Sequence, residues 1–150
     1  MVEIFIDGAC KGNPGPAAVA FIIKKGETNI KEFVQDIGEA TNNIAEYLAL
    51  VYALGEALKL KEQQLKIYTD SELLFKQVTG SYKVKHPTIQ LLFDLVKHLS
   101  AGFDRIEMKH IPRELNKEAD KLASSIFKKE AKVVAPLFEI SGEESPSSRG

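Results

Sequence analysis

The sequence predicts an α/β fold, a mixed sheet with helices packed on its faces. Two patterns predict it: three successive strand-like segments in the first 40 residues, then helix and strand in alternation. Length and composition agree. A chain of 150 residues, 44% hydrophobic and 27% charged, buries one real core and leaves no room for a second full domain.

Val2, Ile4 and Ile6 alternate with Glu3, Phe5 and Asp7, the period of two of a strand with unlike faces, and Asp7 is expected to end it. Residues 8–16 carry three glycines and two prolines and read as a tight loop. Ala17 to Lys24 is apolar and β-rich, Lys25-Gly26-Glu27 is a turn, and Ile30 to Ile37 alternates again, which gives an antiparallel meander. Asn43 to Leu60 has helical periodicity, with Ile44, Leu48, Val51 and Leu58 in one stripe and apolar residues on other faces, so a largely buried helix is expected. Leu65 to Tyr68 is a short strand and Ser71 to Val78 a short helix. Pro87 to Leu99 is a longer helix with proline at a favoured first position, Arg105 to His110 a fifth strand, and Glu114 to Lys129 a last helix.

The domain is expected to span 1–130, followed by an extension, 131–150. Lys132 to Ile140 holds Val133, Val134, Leu137 and Phe138, a segment suited to packing on the sheet or to self-association. Ser141 to Gly150 has no large apolar residue and is expected to be disordered. The single cysteine, Cys10, excludes an internal disulfide, and no Cys/His cluster has zinc-site spacing. No basic region followed by a long apolar stretch opens the chain, and no window approaches the roughly 20 apolar residues of a membrane span. A cytoplasmic monomer that engages no membrane is expected. The net charge of −1 leaves any contact with nucleic acid to local patches.

Four carboxylates carry the chemistry. Asp7 and Asp70 sit at expected strand ends, Glu46 in the first turn of the buried helix, and Asp120 within the last helix. Each has a structural alternative. Asp70 before Ser71 has the place of a helix cap, Asn43 and Glu46 the spacing of a capping box, Asp7 before Gly8 that of a turn, and Asp120 that of a solvated face. Together they point elsewhere, because two carboxylates 4 Å apart repel by about 4 kcal/mol at an effective dielectric near 20. A fold gathers them when a cation compensates. An all-oxygen set suits Mg²⁺ or Mn²⁺ and phosphodiester hydrolysis, with two ions roughly 3.5 to 4 Å apart activating water and stabilising the leaving oxygen.

Ile6-Asp-Gly-Ala-Cys-Lys-Gly-Asn-Pro-Gly-Pro-Ala17 resembles the opening motif of type 1 ribonuclease H. Thr41-Asn-Asn-Ile-Ala-Glu46, Tyr68-Thr-Asp-Ser71 and Asn116-Lys-Glu-Ala-Asp-Lys-Leu-Ala123 resemble three further motifs, in the family's order. The resemblance implies a ribonuclease H-like fold, three antiparallel strands then two parallel ones flanked by helices. It also implies endonucleolytic cleavage of the RNA strand of RNA/DNA hybrids, leaving 5′-phosphates. Asp7, Glu46, Asp70 and Asp120 match the family's metal-binding carboxylates. Cys10, Asn13, Asn42 and Asn43 match contacts to the hybrid's minor groove, where the 2′-hydroxyl marks RNA, and Thr41 a contact to a DNA phosphate. Gly8 and Glu72 complete the substrate-contact candidates, Glu72 standing where relatives often carry a glutamine. His110 and Arg113 compete for the auxiliary role, the first as a proton carrier and the second as a permanent cation. Between Asp70 and His110 the additional basic helix of some bacterial members is missing. Tyr82, Lys83, Lys85 and His86 offer a partial substitute. Two alternatives stay open: a nuclease of related fold acting on DNA, and a non-catalytic hybrid-binding module.

Overall fold

The computed structural model describes residues 1–128 and 135–139. The strands are β1 (Val2–Cys10), β2 (Gly15–Lys25), β3 (Thr28–Ala40), β4 (Gln64–Thr69) and β5 (Arg105–His110). The helices are α1 (Asn42–Lys59), α2 (Glu72–Val78), α3 (Pro87–Ser100) and α4 (Lys117–Ser124). The sheet runs in the order β3-β2-β1-β4-β5, antiparallel through β3, β2 and β1, then parallel through β4 and β5. The predicted five-stranded mixed architecture is therefore the observed one.

Val2, Ile4 and Ile6 of β1 join Phe21, Ile23, Leu65 and Ile67 beneath Tyr47, Leu50 and Leu54 of α1 in the main core. Each such fully buried aliphatic side chain stabilises the fold by about 1.5–3 kcal/mol. The other face of the sheet, to which Phe5 points, carries α4 across β1 and β2. With helices on both sides, Ala17 through Ile23 of β2 are all buried, which is why that strand reads as a continuous apolar run.

Four expectations need correction. First, β1 does not end at Asp7; it continues to Cys10, and only residues 11–14 form the loop to β2. Gly8, Ala9 and Cys10 pair with Val19, Ala18 and Ala17, so the glycines shape the strand instead of breaking it. Second, α1 is largely buried as expected, but its stripe of Ile44, Leu48, Val51 and Leu58 is only partly buried, Ile44, Leu48 and Val51 packing at the margin of the core. The deepest positions are Ala45, Ala49, Ala53 and Ala57, with Tyr47, Leu50 and Leu54, because small side chains let the helix lie close to the sheet. Third, the last helix is broken: 3-10 turns at Arg113–Leu115 and Ser125–Lys128 flank the short α4. Fourth, the caps differ. Thr41 Oγ1 accepts from the Ile44 N–H and Ser71 Oγ from the Leu74 N–H, so neither Asn43 nor Asp70 caps a helix.

The tail from Ser141 lies outside the described residues, as do 132–134 and 140 of the Lys132–Ile140 segment. Leu137 and Phe138 lie within them, and both are exposed.

Candidate active site

The site begins where two parallel strands part. The last register pair between β1 and β4 is Phe5 with Tyr68, while β1 stays paired with β2 as far as Cys10. Two residues beyond that last pair on each strand stand Asp7 and Asp70, on either side of the opening. Divergence of adjacent strands at their carboxyl ends is where open α/β sheets collect ligands.

Glu46 reaches the opening from α1. Its Oε1 accepts the Gly8 N–H at 2.6 Å. The approach depends on Gly8 having no side chain, since a Cβ there would lie 2.4 Å from the Ala45 carbonyl carbon. One carboxylate oxygen from each of Asp7, Glu46 and Asp70 can be chosen so that all three lie within 4.8 Å of one another. Asp7 is 4% exposed and Glu46 7%. Asp7 Oδ2 and Glu46 Oε2 are buried without a hydrogen-bond partner, which buried polar atoms rarely are.

Electrostatics record the same crowding. Burial, then the charges of Glu46, Asp70 and Asp120, push the Asp7 carboxyl up to about 9. Burial pushes Glu46 up to about 8, with Asp70 and Asp120 adding to the rise and the Gly8 N–H and Arg113 opposing it. Unpaired, buried oxygens on hard ligands fit a divalent cation, and the donor set is the all-oxygen kind such ions prefer.

Asp120 and Arg113 line the same cleft of ≈ 630 Å³, together with Gly8, Cys10, Lys11, Asn42 and Phe127. Arg113 is well exposed, its Nη2 3.8 Å from Asp120 Oδ1. His110 is outside the lining: its Nε2 lies 3.3 Å from the Asp70 carbonyl oxygen and its ring stacks on Phe75.

The other sequence candidates divide. The Asn42 N–H donates to Asn13 Oδ1 at 3.0 Å, which fastens the β1–β2 loop to the start of α1. The Cys10 thiol donates to backbone carbonyls, at 2.6 Å to Gly12 and 3.0 Å to Ala40, so its side chain is committed within the loop. Thr41 is occupied as the α1 cap, and Asn43 Oδ1 is buried without a partner. Glu72 points away into an exposed ion pair with Lys76, 2.8 Å apart, and does not line the cleft. Sequence reasoning passed over Lys11 and Phe127, which form a cation–π pair at 5.0 Å on the cleft wall. Nothing local marks them, because Phe127, in the 3-10 turn after α4, meets the β1–β2 loop only through the fold.

The family described as "Reverse transcriptase-like" matches residues 5–126. The solved RNase H1 of the halophilic archaeon Halobacterium salinarum NRC-1 superposes with a TM-score of 0.80 at 38% identity, over 83% of this chain and 95% of that one. The chain belongs to the type 1 ribonuclease H family. A second member, LC11-RNase H1, solved in complex with an RNA/DNA hybrid, superposes with a TM-score of 0.79 at 36% identity, over 83% of this chain and 95% of that one. The bifunctional protein Rv2228c of Mycobacterium tuberculosis is 37% identical over 99% of this chain, which spans 42% of that relative's length. Among the described residues, no helix of this ribonuclease H family member is long and apolar enough to cross a membrane.

Proposed function

We propose that this chain is an endoribonuclease that hydrolyses the RNA strand of RNA/DNA hybrids and leaves 5′-phosphate ends. The observation that carries the reading is the convergence of Asp7, Glu46 and Asp70, with two buried oxygens left unpaired, in a cleft that Asp120 also lines. Membership of the ribonuclease H family, and the hybrid held by LC11-RNase H1, support the choice of substrate.

Asp7, Glu46, Asp70 and Asp120 are the ligand set for Mg²⁺, two ions per site in the substrate complex, with Mn²⁺ as a substitute. Such ions lower the pKa of water and stabilise a leaving oxygen during in-line displacement. The protein's own residues supply position and selection. Gly8 holds one oxygen of Glu46 and leaves the other for an ion. Arg113, beside Asp120, attracts the scissile phosphate as a permanent cation, and Lys11 adds charge elsewhere in the cleft lining. The backbone at Gly8 and Cys10 and the side chains of Asn13, Asn42 and Asn43 face the minor groove, where amide N–H groups donate to a 2′-hydroxyl. Thr41, at the N-terminus of α1, receives a DNA phosphate. His110 orders the end of β5, and Glu72 pairs with Lys76 and stays clear of the substrate. The catalytic domain ends near residue 130, and the protein acts as a cytoplasmic monomer.

Incubation of strand-labelled RNA/DNA duplex with Mg²⁺, Mn²⁺ or EDTA tests this directly. The RNA strand alone is cut, only with metal, and Asp7→Asn abolishes cutting. Cleavage of duplex DNA in preference to the hybrid, or binding without turnover, would overturn it.

A further inference from the structure

We propose that Asn116 is a positioning residue for the acidic cleft, its side-chain amide fixing the Asp70 carboxylate across the opening between β1 and β4. The proposal rests on the reading of Asp7, Glu46 and Asp70 as ligands of a divalent cation.

Asn116 is 1% exposed. Its Nδ2 donates to the Ile6 carbonyl oxygen at 2.8 Å and to Asp70 Oδ2 at 3.2 Å, so both amide hydrogens are used. Ile6 is the first β1 residue past the last register pair with β4. The amide is thus wedged where the ladder has ended, and it sets the spacing between the strand that carries Asp7 and the carboxylate of Asp70. The Asn116 carbonyl oxygen also accepts the Asp120 N–H at 3.1 Å, so the same residue ties the helix of the fourth carboxylate to the other two elements.

Local stability alone would place this side chain differently. Asn116 has the N-cap place of α4, where an asparagine ordinarily turns its Oδ1 to the free N–H groups of the first turn. It makes no such bond, and its Oδ1 is buried without a partner. A cap forgone and a buried acceptor left unpaired are the kind of local compromise found at functional sites. A neutral donor also suits this position, because a lysine would compete with a cation for Asp70 and a carboxylate would repel it. Hydrogen bonds that orient metal-binding carboxylates change metal affinity 10- to 100-fold when lost.

Calorimetric titration of Mn²⁺ into the hybrid-free protein tests the proposal, comparing wild type with Asn116→Ala and with Asn116→Leu, which fills similar space without the amide. Mn²⁺ affinity is expected to fall about 10- to 100-fold. Turnover should fall with an unchanged KM for hybrid and recover at high Mn²⁺. Variants that melt earlier yet bind Mn²⁺ as wild type does would overturn the proposal and reduce Asn116 to a structural residue. If neither variant folds, the wild-type side-chain amide resonance of Asn116 decides: it must shift during a Mg²⁺ titration with the midpoint that calorimetry with Mg²⁺ gives, and a resonance that stays fixed refutes the role. A wild type that binds neither ion would instead refute the reading of the cleft itself.

Discussion

Gly8 and Glu46, 38 residues apart in sequence, are joined by an N–H donated to Oε1 at 2.6 Å, so the residue after Asp7 holds the carboxylate that faces it. The contact exists because α1 lies directly on the glycine. Gly8→Ala should therefore push the helix start outward and lower stability by about 1–3 kcal/mol, as overpacking does. Urea unfolding measures the loss, and Mg²⁺ affinity should fall with it.

Asp7→Asn removes a buried carboxyl that the metal-free fold keeps only by holding a proton the unfolded chain releases. In EDTA near neutral pH the variant should melt a few degrees above wild type, at about 2–4 °C per kcal/mol of that avoided cost for a chain of this size. In Mg²⁺ the order should reverse, because wild type gains stability from bound ion and the variant does not. Scanning calorimetry in the two buffers gives both numbers.

The pH dependence has a definite sign. Asp7 and Glu46 ionise in the fold at about 9 and about 8, above the 3.8 and 4.5 of free side chains. Between those limits the folded state holds protons that the unfolded state has released. Metal-free stability is thus fully present near pH 4 and declines as pH rises through 8 and 9. Melting curves in EDTA from pH 5 to 9 should show that decline, and Mg²⁺ should flatten it.

Arg113 and His110 separate by substitution. Arg113 lines the cleft, so Arg113→Ala should cut turnover about 10- to 100-fold, the value of a charge-assisted contact of about 1.5–3 kcal/mol. His110 is turned toward Phe75 and the Asp70 backbone, so His110→Ala should lower stability by about 1 kcal/mol and change turnover far less. Steady-state kinetics with unfolding curves distinguishes the two.

The architecture was legible in the sequence because it rests on local signals, alternation in β1 and β5 and helical period in α1. The four carboxylates, each with a structural alternative of its own, stood out only as a set and through the motifs that resemble type 1 ribonuclease H. The end of β1 was misread because glycine and proline density marks a loop, whereas Gly8 to Cys10 are held in the sheet by Val19, Ala18 and Ala17 of β2. Which positions of α1 lie deepest was not legible because large side chains dominate a periodicity, whereas Ala45, Ala49, Ala53 and Ala57 lie closest to the sheet with Tyr47, Leu50 and Leu54. Asn116 escaped notice as a contact of Asp70 since the two lie 46 residues apart and meet only where β1 and β4 part.

The most direct measurement is anomalous diffraction from a crystal of the protein grown with Mn²⁺. A peak bounded by Asp7, Glu46 and Asp70, with carboxylate oxygens slightly beyond the roughly 2.0 to 2.1 Å typical of the smaller Mg²⁺ it replaces, is the expected result. A cleft without manganese at saturating concentration, its carboxylates still gathered, would contradict the claim that a divalent cation is what brings these acids together.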